Sequence, residues 1–312
     1  MGTLAGHLLP AVAFLLYALY CSALLSLTML RGQRLPKPPV FIRKKHGHRW
    51  QQATYEGMVK VVMPLIGITC ELFYPPGVNR LPMVDWKDAG RSFINKDSWQ
   101  HITMYSFFLT SGVVDIVSHA CLARPSPKLE RAAEAAAFYV LVLLMSAHVE
   151  NKSALEIRVH ALFMLPCFLV ALVLSVEIWA PDQPPLWVFK AWMGLVLSTW
   201  LLQLCVIMYA PPTGQPWRAD NPTDLSFLTF FFCWHLVLGA ALLAAIYGLC
   251  SLWHHRYSSW TESPGARYQP CAAEPSSEEL EKLQAESVIF CWPLFLVTSL
   301  VNSFKSLSNT IL

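Results

Sequence analysis

His148, Glu150, Glu156 and His160 fall within thirteen residues of one polar stretch, Met145 to His160, that separates two long apolar runs. Imidazole and carboxylate are the donors that zinc and other divalent transition ions take, and an ion left with an open position activates water. Two imidazoles on facing helices would instead clamp a haem, the less suited of the two cofactors. A proton or ion pathway uses the same side chains with no cofactor. No H-E-x-x-H or C-x-x-C motif occurs in the sequence, so further donors must come from elements distant in the chain.

Composition sets the class of those elements. The 312 residues are 55% hydrophobic and only 14% charged, against about 25% charged in soluble domains. This is the balance of an integral membrane protein, with membrane lipids as its surroundings. A net charge of +3, with no basic stripe interleaved with aromatics, excludes nucleic acid as a partner. Protein partners cannot be named from these residues. The nine cysteines lie mostly inside apolar runs and read as small buried apolar residues, not as disulfides or zinc thiolates.

Seven apolar runs are long enough to be spans: Leu8 to Leu30, Thr54 to Phe73, His101 to Leu122, Ala132 to Ala147, Ile157 to Trp179, Leu186 to Tyr209 and Leu225 to Trp253. The first has 23 residues, enough for a hydrocarbon layer of roughly 30 Å at about 1.5 Å per residue. Residues 1–7 hold no Lys or Arg and no cleavage signal, so the first run reads as a retained span. Trp187 and Trp192 read as interfacial anchors. The expected fold is all-α, a polytopic membrane protein with a seven-transmembrane-helix bundle over residues 1–257. A polar acidic cytoplasmic tail, 258–312, follows, and its apolar segment Val288 to Val301 is short for a span.

Orientation follows from charge. Arg31 to Arg49 carries seven basic residues and no acid, with Arg43, Lys44 and Lys45 at its centre as topology determinants, so this loop is expected in the cytoplasm. The amino terminus is then luminal or extracellular. Glu71 ends the second span, His101 begins the third, His148 ends the fourth and His160 lies one turn into the fifth, all at the extracytoplasmic side with His7. His235 lies about ten residues into the seventh span, roughly 15 Å down. Ionisable groups inside a bilayer are costly and face the bundle interior. Glu71, His101, His148, His160 and His235 are therefore the candidate metal ligands. Asp115 and His119, spaced i,i+4 nearer the cytoplasm, read as a structural polar pair, and Glu56 with Lys60 as a second.

Several stretches resemble a known family: Gly6-His7-Leu8-Leu9-Pro10, His101-Ile102-Thr103-Met104-Tyr105, Gly112-Val113-Val114-Asp115-Ile116, the turn ending in His160, Tyr209-Ala210-Pro211-Pro212 and Phe232-Cys233-Trp234-His235. Over residues 1–257 the chain is similar to the transmembrane protein 45 family. The resemblance implies a seven-helix multi-pass protein of Golgi, endosomal or plasma membranes, with no settled activity. Where that family tends to have paired histidines before Thr-Met-Tyr, this chain has Gln100-His101. Where it tends to have His-x-His in the central turn, this chain has His148-Val149-Glu150.

The expectation for function is a multi-pass membrane protein with a buried His/Glu cluster that binds a metal. A metal-dependent intramembrane hydrolase acting on lipid is the alternative. A bound ion with an exchangeable water separates them. Asn151-Lys152-Ser153 is a glycosylation sequon on the outer side, expected to stay unmodified because its loop is short.

Overall fold

The computed structural model describes residues 4–30, 55–122, 125–215, 217–218 and 220–261. The basic loop with Arg43, Lys44 and Lys45, and the tail with its 288–301 segment, lie outside the described residues. Seven helices are described: α1 Leu4–Leu30, α2 Tyr55–Phe73, α3 Lys96–Ala120, α4 Pro127–His148, α5 Ala154–Glu177, α6 Pro184–Tyr209 and α7 Pro222–Thr261. Each coincides with one apolar run, extended by up to a few turns where polar ends continue the helix.

Four of them are long and apolar enough to cross a membrane: Gly6–Leu30, Ala154–Glu177, Pro184–Tyr209 and Pro222–Arg256. Of the seven expected spans, four meet this criterion, and α2, α3 and α4 do not. The physical reason lies in α2, α3 and α4, which carry Glu56, Lys60, Glu71, Asp97, Asp115, Lys128, Glu130, Arg131 and Glu134 and so fall short in apolar content.

α6 is the hub, packed against α1, α5 and α7, and α2 leans on α3, which leans on α4. Trp200, Leu195, Val196 and Leu204 of α6 are fully buried. Trp200 donates its indole N–H to the Val159 carbonyl at 3.0 Å, which sets the α5–α6 register. Trp192 is also in this core and not at an interface: it is 3% exposed and donates to the Leu236 carbonyl at 2.9 Å. Trp187, likewise buried, donates to the Pro181 carbonyl at 2.8 Å.

Two close approaches position the polar residues. Gly112 lies against the backbone of Lys60, where an added Cβ would come within 2.8 Å of the Lys60 carbonyl carbon. Gly67 lies against the Tyr105 ring, 2.6 Å from where its own Cβ would be. Only glycine fits at such separations, so α2 and α3 approach backbone to backbone at Gly112 and backbone to ring at Gly67. At the start of α5, Ser153 caps the helix: its hydroxyl accepts from Glu156 N–H, and Glu156 in return accepts from Ser153 N–H. This reciprocal cap fixes the turn on which His160 sits. Among the described residues seven cysteines are free.

Candidate functional site

Four imidazoles meet at the end of the bundle where α1 starts. Ring centroids are 5.1 Å apart for His101 and His148, 5.6 Å for His148 and His160, 5.9 Å for His7 and His160, and 6.2 Å for His7 and His101. The four come from α3, α4, α5 and α1, so the layer joins residues up to 153 positions apart in sequence. His7, His148 and His160 are buried.

Each ring is held from outside by its Nδ1. His101 Nδ1 lies 2.9 Å from Glu71 Oε1 at the end of α2. His148 Nδ1 lies 3.1 Å from Gln100 Oε1 and 3.9 Å from Asp97 Oδ1. His160 Nδ1 lies 2.7 Å from the Glu156 carbonyl, and His7 Nδ1 lies 3.1 Å from the Tyr209 hydroxyl. A carbonyl oxygen can only accept, so Nδ1 of His160 carries the proton and Nε2 of the neutral ring presents a bare lone pair. The Glu71 carboxylate imposes the same tautomer on His101. The Nε2 of His160 is buried with no hydrogen-bond partner.

Outer partners on one nitrogen and a free lone pair on the other is the arrangement that orients histidine toward a metal. Four imidazoles on one tetrahedral ion would have centroids about 5 Å apart, given roughly 2.1 Å from metal to nitrogen. The pairs His101–His148 and His148–His160 have that spacing, whereas the two pairs made by His7 are wider. Among the described residues no three His, Cys, Asp or Glu side chains are already drawn in to the distances of a bound ion.

The other sequence candidates fall differently. His235 does not join the layer: its Nδ1 lies 3.0 Å from the Thr199 hydroxyl and its ring lies edge-on to Trp200, centroids 5.5 Å apart. The apolar surroundings of the ring hold it in the α6–α7 contact. Glu150 is exposed, and Asp97 takes the place near His148 instead, 3.2 Å from Lys152 Nζ. Asp115 and His119 each have another partner: Asp115 Oδ2 is 3.0 Å from Lys60 Nζ, and His119 Nε2 is 3.4 Å from Glu130 Oε1. Their i,i+4 spacing gave way to tertiary partners, Lys60 of α2 brought in at Gly112 and Glu130 of α4.

At the other end of α2, α3 and α4 lies a buried ionic network of which only the Glu56–Lys60 pair was read from the sequence. Lys60 lies 3.2 Å from both Glu56 and Glu134 in addition to Asp115. Arg131 bridges Glu134 at 3.2 Å and Glu177 at 3.3 Å, and Lys190 meets Glu177 at 2.6 Å. The signal was present as lone charges inside helical runs at Lys60, Glu134, Glu177 and Lys190. A cavity of ≈ 320 Å³ connects the two polar ends, touching His7, His101 and His160 at one and Lys60, Asp115 and Glu134 at the other.

Comparison with known proteins gives the chain's family. The family described as "Family of unknown function (DUF716)" matches residues 127–248, which takes in α4 to α6, most of α7, and both His148 and His160. Transmembrane epididymal protein 1A of Mus musculus is 33% identical over 290 residues, covering 92% of this chain and 93% of its own length. Transmembrane epididymal protein 1 of Rattus norvegicus is 32% identical over 278 residues, 86% of this chain and 87% of its own. The Homo sapiens protein of that name is 34% identical over 198 residues, 64% and 72% respectively. Similarity of this extent, together with four membrane-length apolar helices, makes this an integral membrane protein, and the chain belongs to the family of the transmembrane epididymal proteins.

Proposed function

We propose that this protein is a seven-pass membrane protein of the Golgi, endosomes or cell surface whose imidazole layer binds one divalent transition ion, zinc being the best suited. One observation carries the reading: His160 holds its Nδ1 proton against the Glu156 carbonyl at 2.7 Å and leaves a buried Nε2 without a partner, beside three further imidazoles. His101 and His148 offer Nε2 in the same way, and Glu71 and Gln100 orient them. His7, the most widely spaced, moves inward on binding. His235 stands outside this ligand set.

Seven crossings are supported by the outer faces of α2, α3 and α4. Met58, Val62, Leu65, Ile66, Phe107, Val113, Val117, Tyr139 and Leu143 are exposed there, while Glu56, Lys60, Asp115 and Glu134 of the same helices are paired inside. Such a surface suits lipid, and 19 residues of α2 reach about 28 Å. Introduced cysteines test the orientation: in intact cells Val78→Cys should be labelled from outside and Gln33→Cys should not. Labelling at Gln33 alone would move the imidazole layer to the cytoplasmic face.

Elemental analysis of the purified full chain tests the site. About one zinc, copper or iron per chain is expected, and His160→Ala should remove most of it and lower thermal stability, since an ion bound only by the native state stabilises it. A metal-free protein that takes up no added zinc would end the reading. Lipid hydrolysis is the second reading, favoured by the cavity that opens on His7, His101 and His160 and would seat an acyl chain beside the ion. Chelator-sensitive release of fatty acid from bilayer lipid distinguishes it from binding alone.

A further inference from the structure

Among the described residues the ionic network at the far end of the cavity is not neutral. Its linked ion pairs join four carboxylates, Glu56, Asp115, Glu134 and Glu177, to three cations, Lys60, Arg131 and Lys190. The adjoining Glu130, held by Ser118 and His119, adds at best a neutral pair. An uncompensated carboxylate at this depth is costly.

Two oxygens of the network are buried without a partner, Asp115 Oδ1 and Glu177 Oε1. Of these two residues Asp115 lines the cavity, and it is 5% exposed. Beyond it the wall is apolar, formed by Phe108, Phe138, Leu141 and Phe163. An inorganic cation takes six or more oxygens, or several imidazoles and carboxylates, whereas Glu56, Glu130 and Glu134 at this end are already held by Lys60, Arg131, His119 and Ser118. An ammonium on a hydrocarbon chain needs only the polar end and the apolar wall. Asp115 lies 14 residues along α3 from His101, about 21 Å, and both line the cavity, so the space between them is long.

We infer that this cavity binds a long-chain primary amine, its ammonium donating to Asp115 Oδ1 and its alkyl chain running along α1 and α3 toward the imidazole layer. The excess carboxylate and the unpaired oxygen then have one common partner. The volume, ≈ 320 Å³, is at the small end of ligand sites and is enough for one alkyl chain. The site is separate from the imidazole layer, so loss of metal in His160→Ala leaves the Asp115 end intact.

Native mass spectrometry of the full chain, released from phosphatidylcholine nanodiscs, tests this with three probes: hexadecylamine, hexadecanol and palmitate. One amine per chain is expected, bound at least tenfold tighter than palmitate, with the alcohol between them. Asp115→Asn should weaken the amine roughly ten- to hundredfold, the range of a lost charged hydrogen bond, and leave the alcohol nearly unchanged. Gly194→Leu fills the cavity, since a Cβ there meets only Ala18 Cβ at 3.6 Å, and should weaken all chain ligands together. Equal binding of amine and palmitate, no amine bound at all, or undiminished amine affinity in Asp115→Asn would each overturn the inference. Should Asp115→Asn fail to fold, the amine-to-palmitate ratio of the native chain and the Gly194→Leu result decide it.

Discussion

Lys60 Nζ lies 3.0 Å from Asp115 Oδ2 across the contact of α2 and α3, both side chains shut away from solvent. The ammonium also touches Glu134 of α4 and Glu56 of its own helix, so one cation ties three helices. Removing one member of such a set leaves a charge without compensation, which costs more than the ion pair itself contributes.

Lys60→Met should therefore destabilise the protein by about 3–5 kcal/mol, the range for a broken buried pair, seen as a large fall in Tm in detergent. Lys60→Met combined with Asp115→Asn should recover part of that loss. A double variant no better than the single one would show that the lost charge balance is not the cause.

Gly112→Leu should cost at least the 1–3 kcal/mol typical of overpacking, because its Cβ alone would meet the Lys60 backbone at 2.8 Å. Gly194→Ala is the control, with its nearest contact at 3.6 Å, and should be near neutral. Comparable Tm values for the two would contradict the close approach of α2 and α3.

Glu71→Leu and Gln100→Ala remove the groups that orient His101 and His148 without touching an Nε2. Each should weaken zinc about ten- to hundredfold in chelator competition, as loss of such outer partners does. Unchanged zinc affinity in both would mean that these residues do not orient ligands.

The loop between α2 and α3 has its own pH dependence. The Ser92 hydroxyl, helped by the N–H groups of Gly90 and Ser92, holds the Asp88 carboxyl below its usual value of 3.8. A lowered carboxyl contributes stability that is complete above the ordinary value and is lost as pH falls through and below it. Asp88 should thus titrate below 3.8 in carbonyl-carbon NMR, and Ser92→Ala should raise its midpoint. An identical midpoint in the variant would rule out Ser92 as the cause.

The sequon Asn151-Lys152-Ser153 should stay unmodified in cells. Asn151 sits in a tight turn at φ 62°, and the Ser153 hydroxyl is occupied with Glu156 as the cap of α5. Glycosidase treatment should leave mobility unchanged. A shift that vanishes in Asn151→Gln would show the cap to be open during biosynthesis.

The sequence carried the elements and one end of the site. Every helix lies on an apolar run, and His7, His101, His148 and His160 follow from their depth, since residues near the same face of a bilayer share a level. Depth says nothing about rotation around a helix. His235 therefore read as part of the layer, although α7 is apolar all round and turns it to Thr199. Asp115 and His119 read as a pair for the converse reason: local spacing was visible, whereas the approach of Lys60 depends on Gly112, whose meaning appears only when two helices meet. Gln100, a departure from the family's paired histidines, proved to be the partner of His148.

The bond between Tyr209 and His7 joins residues 202 positions apart, and this bears on how the protein is made. α1 leaves the ribosome first, yet its main partner α6 is synthesised after four further helices. Until then α1 has only its lesser contacts with earlier helices, such as Tyr17 donating to Glu56 of α2 and Phe14 packing on Phe108 of α3. It is equipped for that wait: Ser26 and Thr28 turn their hydroxyls back onto the carbonyls of Ser22 and Leu24, so these groups ask nothing of a neighbour. His7 is at the helix's very end, within reach of the headgroups and their water. The imidazole layer is thus completed late in synthesis, when α6 arrives and gives α1 its place in the bundle.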